Sequence, residues 1–190
     1  PIDVKIEGFT IDANGQEGSS SQNFAGVFFR DVGDGTNDGL YSCTINNFGS
    51  NGAAWSGTYN TWTGNYDVQV YGQSSLTIDD NDVDDYTVSG VSAGGSNVNV
   101  VVSGNDVDGT DSDYAGVYLR DGVGTISGNS IHDHTGAGES IGIYLYDAAT
   151  GTKIDDSTAA NTIADNYMGV FLAGTNGAII NLCARCSVIQ

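Results

Sequence analysis

Two stretches of the chain set carboxylates at close, regular spacing. "DDNDVDD" (79–85) offers Asp79, Asp80, Asp82, Asp84 and Asp85, and "DVDGTDSD" (106–113) offers Asp106, Asp108, Asp111 and Asp113 around Gly109. "DVGDGTND" (31–38) adds Asp31, Asp34 and Asp38. Oxygen-rich, glycine-bent loops are what Ca2+ takes as ligands. Ca2+ held by Asp79, Asp80, Asp82, Asp84, Asp106, Asp108, Asp111 and Asp113 is therefore the cofactor expectation, set against plain solvation of acidic loops. None of these stretches has the Glu at its twelfth position that an EF-hand loop needs.

Groups for proton transfer are few. "HDH" (132–134) supplies His132 and His134, while Arg120 and Tyr146 lie in the neighbouring phrases "GVYLR" and "GIYLY". Imidazole, phenol and guanidinium are the usual acid–base and anion-holding groups. Arg120, His132, His134 and Tyr146 are thus the candidate catalytic residues, provided that the fold brings them to one surface. The competing reading makes both histidines solvent-exposed bystanders.

The elements that would position these groups are short strands. The chain has 190 residues, 28 of them Gly and a single Pro, enough for one domain with a real core. Asp, Asn, Gly, Ser and Thr separate short β-branched runs, the composition of an all-β protein with many turns. Twenty-four carboxylates face five Lys and Arg, a net charge of −19. Such a surface repels nucleic-acid phosphates and anionic membranes, so neither partner is expected. No run of eighteen apolar residues exists, and no membrane insertion is expected. Opening directly in "IDVKIEGFTID", the chain reads as a mature or excised segment. Cys43, Cys183 and Cys186 do not make a disulfide framework. A local Cys183–Cys186 bridge, a thiol reaching a neighbouring chain and buried free thiols all remain open.

Two phrases recur. The first has a Thr-Ile core and begins at Thr10, Thr44, Thr77, Val101, Thr125 and Thr162. An apolar β-branched residue follows each time, and Asn comes three places later at Asn14, Asn81, Asn105, Asn129 and Asn166, with Phe48 the exception. The second phrase is "GVFF" (26–29), "GVYL" (116–119), "GIYL" (142–145) and "GVFL" (169–172), with looser copies "VQVY" and "YTVSG". Strands this short cannot bury a face alone. Stacked as coils of a solenoid they pair with their own copies, and like residues pile on like. Ile and Val make the core, and the Asn column makes an internal ladder.

"TISGNSI", "TIDDNDV" and "GVYL…GIYL…GVFL" resemble the right-handed parallel β-helix proteins of the pectate-lyase-like superfamily, over nearly the whole chain. The resemblance implies an all-β, right-handed parallel β-helix of about six coils with an internal Asn ladder, forming a single domain over 1–190. It is weak for activity, because this repeat serves lyases, epimerases, hydrolases, tailspikes, adhesins and surface-layer proteins. Lyases and epimerases of this fold need a base near the α-proton of a uronate and a cation on its carboxylate. Neither the "DPHE" of mannuronan epimerases nor the "RxK" of polygalacturonases is present.

Alternation along the strands puts Phe28, Tyr118, Tyr144 and Phe171 outside. A column of rings there suits stacking on a polysaccharide, or burial under a loop or a neighbouring chain. At the ends, "VKIEGFTI" and "GAIINLCARCSVIQ" do not read as capping helices, so end-to-end stacking of copies into a homo-oligomer is expected. The leading functional expectation is an extracellular or cell-surface structural protein building a filament, sheath or surface layer. The alternatives are a polysaccharide lyase or epimerase, and a non-catalytic glycan-binding module.

Overall fold

A computed structural model describes residues 4–13, 24–32, 38–47, 65–72, 74–86, 88–110, 114–136, 140–147, 151–154, 159–174 and 179–180. Asn14, Asp34, Phe48, Asp111, Asp113, Cys183 and Cys186 lie outside them. All the described elements are strands, in three wholly parallel sheets. No described helix is long and apolar enough to cross a membrane. Sheet A stacks Lys5–Glu7, Gly39–Tyr41, Ser75–Asp79, Asn99–Ser103, Val123–Ser127, Lys153–Ile154 and Ile179–Ile180. Sheet B stacks Thr10–Asp12, Thr44–Asn46, Asp82–Asp84, Asp106–Asp108, Ser130–His132 and Thr162–Ala164. Sheet C stacks Phe24–Arg30, Asn65–Tyr71, Ser89–Gly94, Ala115–Arg120, Ile141–Tyr146 and Met168–Ala173. The chain visits A, B and C in turn, so each winding contributes one strand to each sheet.

Like residues do sit on like. In sheet A the inward column runs Ile6, Leu40, Ile78, Val102, Ile126 and Ile154, and Ile180 pairs in register with Ile154. In sheet B it runs Ile11, Ile45, Val83, Val107, Ile131, Ile163. In sheet C, Val27, Val68, Val91, Val117, Ile143 and Val170 stack beside it. These columns form one continuous core, and apolar burial of this extent is the main term holding so short a set of strands together.

The windings hold three strands, not the two that the alternating phrases imply. Thr77, Val101 and Thr125 lie in sheet A, whereas Thr10, Thr44 and Thr162 lie in sheet B. One local pattern, an inward β-branched residue followed by a turn, serves both sheets, and alignment on Thr-Ile merged them. The Asn ladder is present with one change of member: it comprises Asn81, Asn105, Asn129 and Asn161, not Asn166. Asn81 donates to Asn105 Oδ1 from its backbone N–H (3.0 Å) and from Nδ2 (2.8 Å). Asn105 and Asn129 repeat this to the next member at 3.0 and 2.9 Å. Each Nδ2 also donates to a carbonyl of the winding before, as Asn129 does to Val102. Cys43 occupies the same place one winding earlier and donates its N–H to Asn81 Oδ1.

All three corners place a residue in the left-handed region. From A to B these are Gly8, Ser42, Asp80, Gly104 and Gly128; from B to C, Asn47, Asp85, Asp133 and Asp165; from C to A, Asp31, Gly72, Asp121, Asp147 and Gly174. Gly, Asn and Asp tolerate this conformation best. Much of the aspartate in the sequence therefore shapes corners.

Candidate functional site

Among the described residues, "DDNDVDD" and the opening "DVD" of the second acidic stretch are strands and corners, not loops. In "DDNDVDD", Asp79 ends a sheet A strand and accepts from Ser103 Oγ (2.6 Å), while Asp80 turns the corner and accepts from Ser42 Oγ (3.0 Å). Asn81 points into the ladder, and Asp82 and Asp84 flank the inward Val83 on sheet B. One winding on, Asp106 and Asp108 flank Val107 in the same way. Register then stacks Asp82 under Asp106 and Asp84 under Asp108. The next winding replaces the acids with Ser130 and His132. The eight proposed Ca2+ ligands are thus spread between a sheet A strand end, a corner and the outer face of sheet B, with Asp111 and Asp113 outside the described residues.

His132 is the centre of that face. Its Nε2 lies 2.9 Å from Asp106 Oδ1, and its Nδ1 lies 2.9 Å from Asp133 Oδ2 and 3.4 Å from Asp108 Oδ1. Partial burial by itself lowers the imidazole's pKa; hydrogen bonds to Asp133 and Asp106 and the field of Asp108 outweigh it, so the net shift is upward. Asp84 is raised by burial and by the charge of Asp82. Asp108 is raised by burial and by Asp84, Asp133 and Asp106, against the pull of His132. Crowded carboxylates in a ladder resist full ionisation, and a cation between them relieves the strain. Asp133 is the member that sequence reasoning missed. The signal was present: putting "DVD", "DVD" and "SIH" in register sets His132 beside Asp108, and the corner residue follows it.

His134 has the opposite fate. It is fully buried at the B-to-C corner. Asn166 Oδ1 accepts from its Nδ1 (2.5 Å), which leaves Nε2 to accept from the Tyr86 hydroxyl (2.5 Å). Burial pushes its pKa down to about 4. A glycine column in sheet C makes room for these rings. A Cβ on Gly116 would meet Ile131 Cγ2 at 2.7 Å, the Gly142 carbonyl at 2.8 Å and His134 Cε1 at 2.9 Å; one on Gly90 would meet the Tyr86 ring at 2.8 Å. This is why the second phrase opens on Gly.

The four candidate catalytic residues are not gathered. Arg120 and Tyr146 are neighbours on the outer face of sheet C, the guanidinium 5.1 Å from the ring centroid, with Asp121 Oδ2 at 3.2 Å from Nε. His132 belongs to the outer face of sheet B, and His134 is interior. The structure therefore corrects the expectation of one shared surface: the four are divided between the outer face of sheet B, that of sheet C and the interior.

The rings stack as register requires. Tyr118 to Tyr144 and Tyr144 to Phe171 are both 5.1 Å between centroids, and Tyr114 meets Tyr144 edge-on at 5.6 Å. Yet Tyr118 is only 4% and Tyr144 7% exposed. They form a second, smaller apolar cluster on the outside of sheet C with Ala115 and Ile141. Phe28 stands apart at 52% exposed, because Gln69 and Ser92 fill the two windings between it and Tyr118.

Comparison with known proteins agrees with this geometry. No curated protein and no solved structure matches the chain. A sequence model described as "Right handed beta helix region" matches residues 66–186, well over half of the chain. The three parallel sheets, the stacked columns and this match together lead to one conclusion: the chain belongs to the right-handed β-helix family.

Proposed function

We infer that this protein is a structural β-solenoid that stacks end to end into a filament, sheath or surface layer outside the cell. The supporting observation is the first winding. Among the described residues no strand pairs with the outer edge of Lys5–Glu7, Thr10–Asp12 or Phe24–Arg30. Inward Ile6 and Ile11 are only partly buried there, whereas their partners Leu40 and Ile45 are fully buried. Phe9, at the ladder position, is 60% exposed.

Such an edge is a template for further strands. A second copy fits it better than an unrelated partner, because the last described windings carry the same columns: Ile154 in line with Ile6, Ile163 with Ile11, Val170 with Val27. A head-to-tail contact along the solenoid axis gives a rod, or a ring if its rotation closes. A polysaccharide-directed role receives less support, since the aromatic column is closed by its own packing and the proton-transfer groups are divided between faces.

Electron microscopy of the purified chain across a concentration series tests the reading. Rods that lengthen with concentration, with an axial repeat of roughly 30 Å from six or seven strands at about 4.8 Å each, are expected. Phe9→Glu is expected to shorten them while leaving the circular dichroism spectrum unchanged. Particles of single-chain length at every concentration would overturn it.

A further inference from the structure

We propose that Asp108, His132 and Asp133 form a binding site for a divalent transition-metal ion such as Zn2+, with Asp106 fixing the imidazole from its other side. This goes beyond the assembly reading and does not depend on it. The three residues each offer one ligand atom, all within 4.8 Å of one another. An imidazole and two carboxylates are a donor set for zinc and its neighbours in the first transition row, and differ from the all-oxygen shell that Ca2+ prefers.

The argument rests on what each ring nitrogen faces. Nε2 points at Asp106 Oδ1 alone, at 2.9 Å, so an N–H there is held by a carboxylate. A carboxylate behind the distal nitrogen is the arrangement that orients metal-binding histidines and raises their basicity. With Nε2 protonated, Nδ1 turns its lone pair toward Asp133 Oδ2 and Asp108 Oδ1. A lone pair facing two carboxylates is repulsive unless a cation lies between them. A metal ion is the cation whose ligands this convergence of one imidazole and two carboxylates matches. Asp84 stands beside Asp108 on the preceding winding and adds negative charge on the same face. The four carboxylates around one imidazole come from two stacked strands and a corner residue, so register holds them in place.

The test uses the full chain and Zn2+ itself. Because the protein has two histidines, long-range proton–nitrogen NMR resolves both rings during a titration near pH 7.5. One equivalent of Zn2+ is expected to move the His132 Nδ1 resonance to a metal-bound position, with the His134 tautomer unchanged. Calorimetry is expected to give one saturable site that disappears in His132→Asn. Asp108→Asn and Asp106→Asn, which keep shape on an exposed face, are each expected to weaken it by about tenfold or more. Affinity is expected to fall with decreasing pH as protons compete. No shift of His132 Nδ1, binding that His132→Asn leaves intact (as thiol binding would), or a site that takes Ca2+ equally well and ignores His132→Asn would each overturn the proposal.

Discussion

Asn129, like Asn105, uses nearly all of its hydrogen-bonding capacity inside the core. It donates to Asn161, Val102 and Ser127 and accepts from Asn105, all while 1% exposed. Asn129→Ala leaves several of these groups buried without partners, at about 1 kcal/mol or more each. A loss of roughly 3 kcal/mol in urea unfolding is expected, against little change for the half-exposed corner residue Asn47→Ala beyond its backbone preference. His134 gives a pH signature. Its folded pKa, about 4, lies below its ordinary 6.5, so the unfolded chain takes the proton first. The stability it contributes is complete above pH 6.5 and is lost as pH falls toward 4, about 3 kcal/mol in all. Unfolding measured between pH 4 and 7 is expected to show this slope in the wild type and a smaller one in His134→Asn. Equal slopes would mean that His134 is not held neutral.

At the scale of elements, the glycine column of sheet C and the buried Tyr86, His134 and Asn166 depend on each other. Gly116→Ala brings its methyl against backbone at Gly142 as well as against Ile131 and His134, and overpacking of this kind costs about 1–3 kcal/mol. Gly94→Ala meets only Tyr71 Cδ2, at 3.9 Å, and is expected to be close to neutral; thermal melts of the two variants provide the comparison. Much of this was legible in the sequence. The stacking of Ile78, Val102 and Ile126 follows from Asn81, Asn105 and Asn129 recurring every 24 residues. The division into three strands was not, because a three-residue strand such as Asp82–Asp84 has one inward residue and no alternation to display. Asn161 was hidden by "NTIADN", which offers two asparagines for the one ladder place, 32 residues beyond Asn129. The placement of His132 and Arg120 on different sheets depends on which face each strand shows, and periodicity within one strand carries no such information.

Among the described residues the middle windings are closely packed, and the inward residues of the Lys5–Glu7 and Thr10–Asp12 winding are less buried than their copies. The chain's net charge is −19 over 190 residues, and most of the described carboxylates sit on corners and outer faces, where, in the proposed rods, they would repel neighbouring rods sideways. That asymmetry favours growth along one axis, and salt is expected to thicken rods into bundles as lateral repulsion is screened. The most direct measurement is amide hydrogen exchange of Lys5–Glu7 and Thr10–Asp12 as protein concentration rises. Strand addition by a second copy predicts protection there that grows with concentration, while the interior strands Asn99–Ser103 and Asp106–Asp108 stay protected throughout. Fast exchange at the first winding that does not depend on concentration would contradict the account.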